Sequence, residues 1–326
     1  MATIKQQLSI HSEDRDILKW PNSNTFEVDL PVDYRGVACL RLNDIELPGS
    51  ISVFTRANQN TRLVVELEIG CLVVEITSGS YLPSQLALEL AGQLNAAVSV
   101  AVGSEYTSFG VVFNEVSQTF LFYNSVEFFK LDFTVTNLFD GSYFHNYSSW
   151  GLGYNLGFQK TTYCAVEGTR QLFWVPQTIT GFLMESELPV EVYGDTHVYM
   201  EVFQCNSMDE IMPYTEGSND LYRAKQGGKH HSAFAKIPIA GRFGHDKRMG
   251  NCYDNRFNAV SNVFRSEPPL ERIQKLKFRF RYHDGRLVDF GQHDFTFTLE
   301  LTLDRTDVPR LAKRETSLRA HEKYGE

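Results

Sequence analysis

The nine residues Phe295-Thr296-Phe297-Thr298-Leu299-Glu300-Leu301-Thr302-Leu303 alternate strictly between apolar and polar. A period of two puts every apolar side chain on one face of a pleated strand, and no helix can bury such a set. Leu276, Phe278, Phe280 and Tyr282 alternate in the same way with Lys277, Arg279 and Arg281. The two runs read as a pair of strands, joined through the turn-forming His283-Asp284-Gly285-Arg286 and then Leu287, Val288 and Phe290.

The same signal recurs along the chain. Phe26, Val28 and Leu30 alternate with Glu27 and Asp29 up to Pro31, which is expected to stop that strand. Val37 to Leu47 follows, ending at Pro48-Gly49. Leu63–Ile69 and Leu72–Ile76 form a hairpin through Gly70. Further strands are read at Val111–Phe113, Phe120–Tyr123, Phe128–Val135, Val190–Tyr193, His197–Phe203 and Phe234–Ile239. The period changes once: Leu82, Leu86, Leu90 and Leu94 recur every four residues beside Ala87, Ala91 and Ala97, which predicts one amphipathic helix with Pro83 in its first turn and Ser80 as its cap. About ten strands and a single helix fit an all-β sandwich or jelly roll. One jelly roll with inserted loops is expected, with a double jelly roll as the alternative.

Composition agrees. Aromatic residues make up 13% of the 326, with 24 Phe and 15 Tyr, and such side chains suit half-buried sheet faces. The net charge of -9 argues against a nucleic-acid binder, since phosphate contacts need clustered Lys and Arg. The five cysteines are scattered and form no C-x-x-C pair, so neither a disulfide scaffold nor a zinc site is expected, and a reducing compartment fits. The first residues carry no apolar signal segment, and no apolar run approaches the roughly 18 residues of a membrane span. Membrane contact is possible but not indicated.

The expected organisation is an N-terminal arm over 1–24, a body over 25–304 with insertions near 137–168 and 205–232, and a basic tail over 305–326. Both insertions read as long loops, the first rich in aromatic residues. No motif of hydrolases, phosphate loops or zinc proteases is present. His283-Asp284 and His293-Asp294 could be imagined as acid-base or metal pairs, and His230-His231 as a metal pair, but turn and loop roles are the preferred reading. No catalytic, cofactor or metal residue is expected. The cluster Ser12 to Asp16 reads as a solvated segment in which Arg15 pairs with its acidic neighbours.

Several of these segments resemble a known family in order. Ser12-Glu13-Asp14-Arg15-Asp16, then Trp20-Pro21-Asn22-Ser23-Asn24 and the strand Thr25–Leu30, resemble the opening of minor capsid and penton-type proteins of nucleocytoplasmic large DNA viruses, the giant and chlorella-virus-like group. Gly79-Ser80-Tyr81 before the Leu-rich helix, Leu156-Gly157-Phe158, Phe234–Pro238, and the closing Asp284-Gly285-Arg286-Leu287-Val288-Asp289-Phe290 with His293–Leu301 also fit that pattern. The resemblance spans roughly Ser12 to Leu303.

It implies a jelly-roll fold, a place in the virion after assembly in the host cytoplasm, and no catalysis. A minor capsid protein binding major capsid capsomers and other minor capsid proteins is expected. A penton protein forming a homopentamer is the alternative, and a virion carbohydrate-binding jelly roll a second one. The expected contact residues are Tyr143, Phe144, Tyr147, Trp150, Tyr154 and Phe158, because exposed aromatics anchor interfaces. Thr3–Lys19 and the C-terminal segment with Arg310 and Arg314 are the expected tethers.

Overall fold

The computed structural model describes residues 2–48, 51–135, 138–139, 149–172, 177–212, 229–239, 251–254 and 262–305. In chain order β1 (Ala2–His11) and β2 (Thr25–Leu47) lead into β3 (Arg62–Leu67), β4 (Gly70–Glu75), helix α1 (Pro83–Val102), β5 (Phe109–Asn114), β6 (Thr119–Asn124) and β7 (Lys130–Asp132). The single turn α2 (Leu152–Asn155), β8 (Thr162–Cys164), β9 (Val166–Leu172) and β10 (Gln177–Glu185) follow. Then come β11 (His197–Val202), β12 (Met208–Met212), β13 (Lys229–Ala233), β14 (Ala235–Pro238), β15 (Asn251–Asp254), β16 (Val263–Arg281) and β17 (Thr296–Arg305). The expected class, β sheets packed as sandwiches with one long amphipathic helix, is the one found.

The body expected over 25–304 divides into two compact units, Met1–Ile51 with Asp195–Glu326, and Ser52–Gly194. The reason is pairing. After β2 the chain leaves its sheet and returns only at β11, and β3 to β10 pair solely among themselves within the described residues. Each unit buries its own apolar core.

The first unit is built on a sheet in the order β1-β17-β2-β16-β11-β14, with β15 also pairing β2. Residues 2–24 are not a free arm. Ile4, Leu8 and Ile10 alternate with polar residues, and β1 pairs β17 from Ala2↔Arg305 to His11↔Thr296. Nor do β16 and β17 pair with each other, because β2 lies between them. The Gly285 turn is real but local, closed by Tyr282 N–H donating to Arg286 O at 2.8 Å.

β2 continues through Pro31 instead of stopping there. Its pairing with β16 breaks between Asp29 and Tyr34 and again opposite Ser266 to Pro269. Pro31, Pro268 and Pro269 fall in these unpaired stretches, where a missing N–H removes no ladder bond. The breaks bend the strand. Phe26 pairs Phe278, and Ile45 pairs Phe297. These two β2 positions are 45 − 26 = 19 residues apart, roughly 60 Å along straight strand. Yet the Phe278 and Phe297 rings meet at 4.9 Å. The sheet therefore folds over, and Phe26, Phe278, Phe280, Phe295 and Phe297 share one core.

The second unit contains two four-stranded sheets, β4-β3-β7-β8 and β5-β6-β10-β9. Leu63, Val65 and Leu131 from the first and Phe120, Phe122 and Met184 from the second line its core. α1 adds Leu86, Leu90, Leu94 and Val98 to that core. Its cap differs from expectation: Leu82 N–H donates to Gln85 Oε1 at 3.1 Å, while Ser80 Oγ accepts from Val53 N–H at 3.2 Å. Gly103, at φ 74°, ends the helix in the left-handed region. α1 is also long and apolar enough to cross a membrane by length and composition, contrary to expectation, although its buried stripe packs on the sheets.

Two loop readings need correction. The segment 137–168 contains α2 and β8, and 205–232 contains β12 paired with β13. Conversely Val190–Tyr193 is irregular. Val190 and Val192 are buried, but Val190 N–H donates to Gln118 O at 2.8 Å and Glu191 N–H to Asn155 O at 2.9 Å, so no ladder forms.

Candidate functional site

One polar site in the first unit joins segments near opposite ends of the sequence. β1 ends at His11 and the chain turns over Ser12–Asp14. Ser12 is wholly buried. Its N–H donates to Phe295 O and its Oγ accepts from Phe295 N–H, both at 2.9 Å, while Oγ donates to Asp294 Oδ1 at 2.9 Å. Arg15 Nη1 donates to the same Oδ1 at 2.5 Å and to Ser12 O at 2.6 Å, and its Nε to Trp20 O at 3.1 Å. Burial works against ionisation of Asp294, yet the hydrogen bonds from Arg15 and Ser12 hold its carboxyl below the ordinary range.

The following turn is fastened as well. Asp16 Oδ1 accepts from Leu18 N–H at 3.0 Å. Asn24 Nδ2 donates to Val288 O at 2.9 Å, and Asn24 O accepts from Phe280 N–H at 2.8 Å. Lys19 and Lys277 lie 5.4 and 5.0 Å from the Trp20 ring. The expectation of a solvated segment is thus corrected: Arg15 reaches past its acidic neighbours to Asp294, and its side chain is only 9% exposed.

A second cluster escaped the sequence reading. The alternation of β16 puts Arg281 on the face opposite Phe280, where solvent is the default. Instead it is 2% exposed. Its Nε donates to Glu201 Oε1 at 2.6 Å and its Nη1 to Glu210 Oε2 at 2.7 Å. His283 Nδ1 contacts the other oxygen of Glu210. The guanidinium lies 5.2 Å from the Tyr199 ring, and burial followed by the nearby Glu210 pushes the Tyr199 hydroxyl up to about 12. Alongside, Arg286 binds Asp284 at 2.5 Å and Asp195 at 3.2 Å. Burial raises the Asp195 pKa against the pull of Arg286. Each of these carboxylates is held by an arginine, a geometry that fastens strands together. Glu201 and Glu210 each lie about seventy to eighty positions from Arg281, and no local pattern marks the pairing.

His283-Asp284 and His293-Asp294 are not brought to a shared metal centre. Among the described residues no group of His, Cys, Asp and Glu could hold a metal ion. The side chain of His230 lies outside the described residues.

The aromatic segment of the second unit is only partly an outward surface. Phe158, expected as a contact residue, is 2% exposed and stacks on Phe133 at 5.0 Å, so it belongs to the core. Its packing follows from Gly157, at φ 81°, where a Cβ would stand 2.0 Å from Leu188 O. Trp150 is half-buried, with its ring against Phe133 at 5.8 Å and Lys160 Nζ 5.9 Å away. Gly153 permits this: a Cβ there would fall 2.4 Å from the Trp150 ring. Trp150, Lys160, Arg62, Asp132 and Phe139 line a shallow depression. Tyr154 sits half-buried on α2. Tyr143, Phe144, Tyr147, Arg310 and Arg314 lie outside the described residues.

No family model matches the chain, and no curated protein matches it. Among solved structures the fold is similar to the mavirus penton protein, at 11% identity and a TM-score of 0.45, covering 92% of this chain and 99% of that one. It is also similar to a chain of the Sputnik virophage, at 11% identity and a TM-score of 0.43, covering 92% of this chain and 97% of that one.

Proposed function

We propose that the chain is a structural component of a viral capsid, a minor capsid protein of a large icosahedral double-stranded DNA virus. It resides in the virion, assembles in the host cytoplasm, and stabilises the shell by binding major capsid capsomers and other minor capsid proteins. One observation carries the reading. The segments that resemble capsid proteins lie at opposite ends of the sequence, yet Ser12, Arg15 and Asn24 bind directly to Asp294, Phe295 and Val288. A pattern that closes on itself through hydrogen bonds between distant segments supports a rigid body, and rigidity is what a shell component needs. The reading assigns no catalytic residue, cofactor or metal. The net charge of -9 over the whole chain argues against binding to the genome.

Light scattering after gel filtration, alone and with purified capsomers, tests this. The expected result is a monomer or small oligomer that binds capsomers. A stable pentamer would assign the vertex position within the same capsid reading. Failure to bind capsomers or shells in any oligomeric state would overturn it.

A further inference from the structure

The sheet β4-β3-β7-β8 ends, among the described residues, at β4 on one side and β8 on the other. One row crosses all four strands. Cys71 stands opposite Glu66, Glu66 opposite Lys130, and Lys130 opposite Cys164. Directly opposed residues share a face, so both edges carry a thiol on the same outer face, and both thiols are exposed. Glu66 and Lys130 pair at 3.0 Å, which makes the row negative toward β4 and positive toward β8.

We propose that β4 of one copy pairs with β8 of a second copy, continuing the sheet head to tail. This rests on the capsid reading and names a further copy of the chain as one of its partners. Three features fit. First, the strands of this sheet alternate in direction, so β4 and the second copy's β8 meet antiparallel, as every pair within the sheet does. Second, aligning Cys71 with the second copy's Cys164 also aligns Val73, an exposed apolar side chain at 56%, with Thr162. Third, the polarity of the row favours this contact over the symmetric ones, since joining β4 to β4 would bring Glu66 toward Glu66, and β8 to β8 Lys130 toward Lys130. A head-to-tail contact of this kind closes into a ring or extends as a filament.

The cysteines report the register. Opposed residues of an antiparallel pair have Cα atoms about 4.5–5.5 Å apart, within the range of a disulfide. The purified chain is treated with glutathione disulfide, which the two thiols reduce to two glutathione thiols as they join, and the cross-linked peptides are identified by mass spectrometry. The expected link is Cys71 to Cys164 between chains, lost in Cys71→Ser and in Cys164→Ser. In the doubly Ser-substituted chain, Val73→Cys with Thr162→Cys restores it. Links of Cys71 to Cys71 or Cys164 to Cys164 would overturn the head-to-tail register. So would the absence of any link while both thiols react with maleimide. A chain that binds capsomers but gives no link refutes the pairing alone.

Discussion

Arg15 and Asp294 are 279 positions apart and meet at 2.5 Å. The contact locks the end of β1 to the start of β17, and Arg15 also holds two backbone carbonyls, Ser12 O and Trp20 O. Replacing Arg15 by Met removes the charge and three side-chain hydrogen bonds, leaving Asp294 Oδ1 its bond from Ser12 Oγ and Ser12 O its bond from the Arg15 N–H. Charge-assisted hydrogen bonds are each worth roughly 1.5–3 kcal/mol when partly buried. Because the Asp294 side chain is 41% exposed, about 1–2 kcal/mol is expected. Urea denaturation should place Arg15→Met below the parent by that amount, with an unchanged slope.

The same pair sets an acid response. The Asp294 carboxyl is held below its ordinary value in the folded chain. Its contribution is therefore full above the unfolded pKa, about 3.9, and is lost as pH falls through the lower folded value. Stability of the parent should decline across that acid window. In Arg15→Met the Asp294 share of the decline should shrink, as a pH series of denaturation midpoints would register.

Arg281 binds two carboxylates from two strands, Glu201 on β11 and Glu210 on β12. Arg281→Leu should destabilise the first unit by about 3–5 kcal/mol, the cost of stranding buried charges. Adding Glu210→Gln should recover part of that loss, because one orphaned charge is then removed. Thermal unfolding of the two variants side by side measures the recovery, and a double variant weaker than Arg281→Leu would mean that Glu210 is not the stranded group.

Phe158 and Trp150 should behave differently. Phe158→Ala opens the core of the second unit and should cost about 3–5 kcal/mol. Trp150→Ala removes a half-buried ring and should cost less, while weakening capsomer binding if the depression beside it is a contact surface. Melting temperatures and binding by the same two variants separate core from contact.

What could be read from sequence followed from period. The alternation in Leu276–Tyr282 and Phe295–Leu303 and the four-residue spacing of Leu86, Leu90 and Leu94 each place their elements correctly. Period says nothing about partners. It suggested that β16 pairs with β17, whereas β2, far away in sequence, separates them. Pro31 looked like a stop because a proline cannot join a ladder, but a bend between two paired stretches suits it equally well. The division into two units was hidden because no linker composition marks it. Arg15 was paired with its acidic neighbours and Asp294 read as a turn residue, so their contact was not foreseen, and the Arg281 cluster did not stand out at all, since its carboxylates come from strands that meet it only in the folded chain.

The central claim is that this chain is a built-in part of a capsid. The most direct test is to count it by quantitative mass spectrometry against the major capsid protein in purified, nuclease-treated and salt-washed particles of the virus that encodes it. A fixed ratio that survives washing is the predicted result. Presence in infected cells with absence from washed particles would contradict the account.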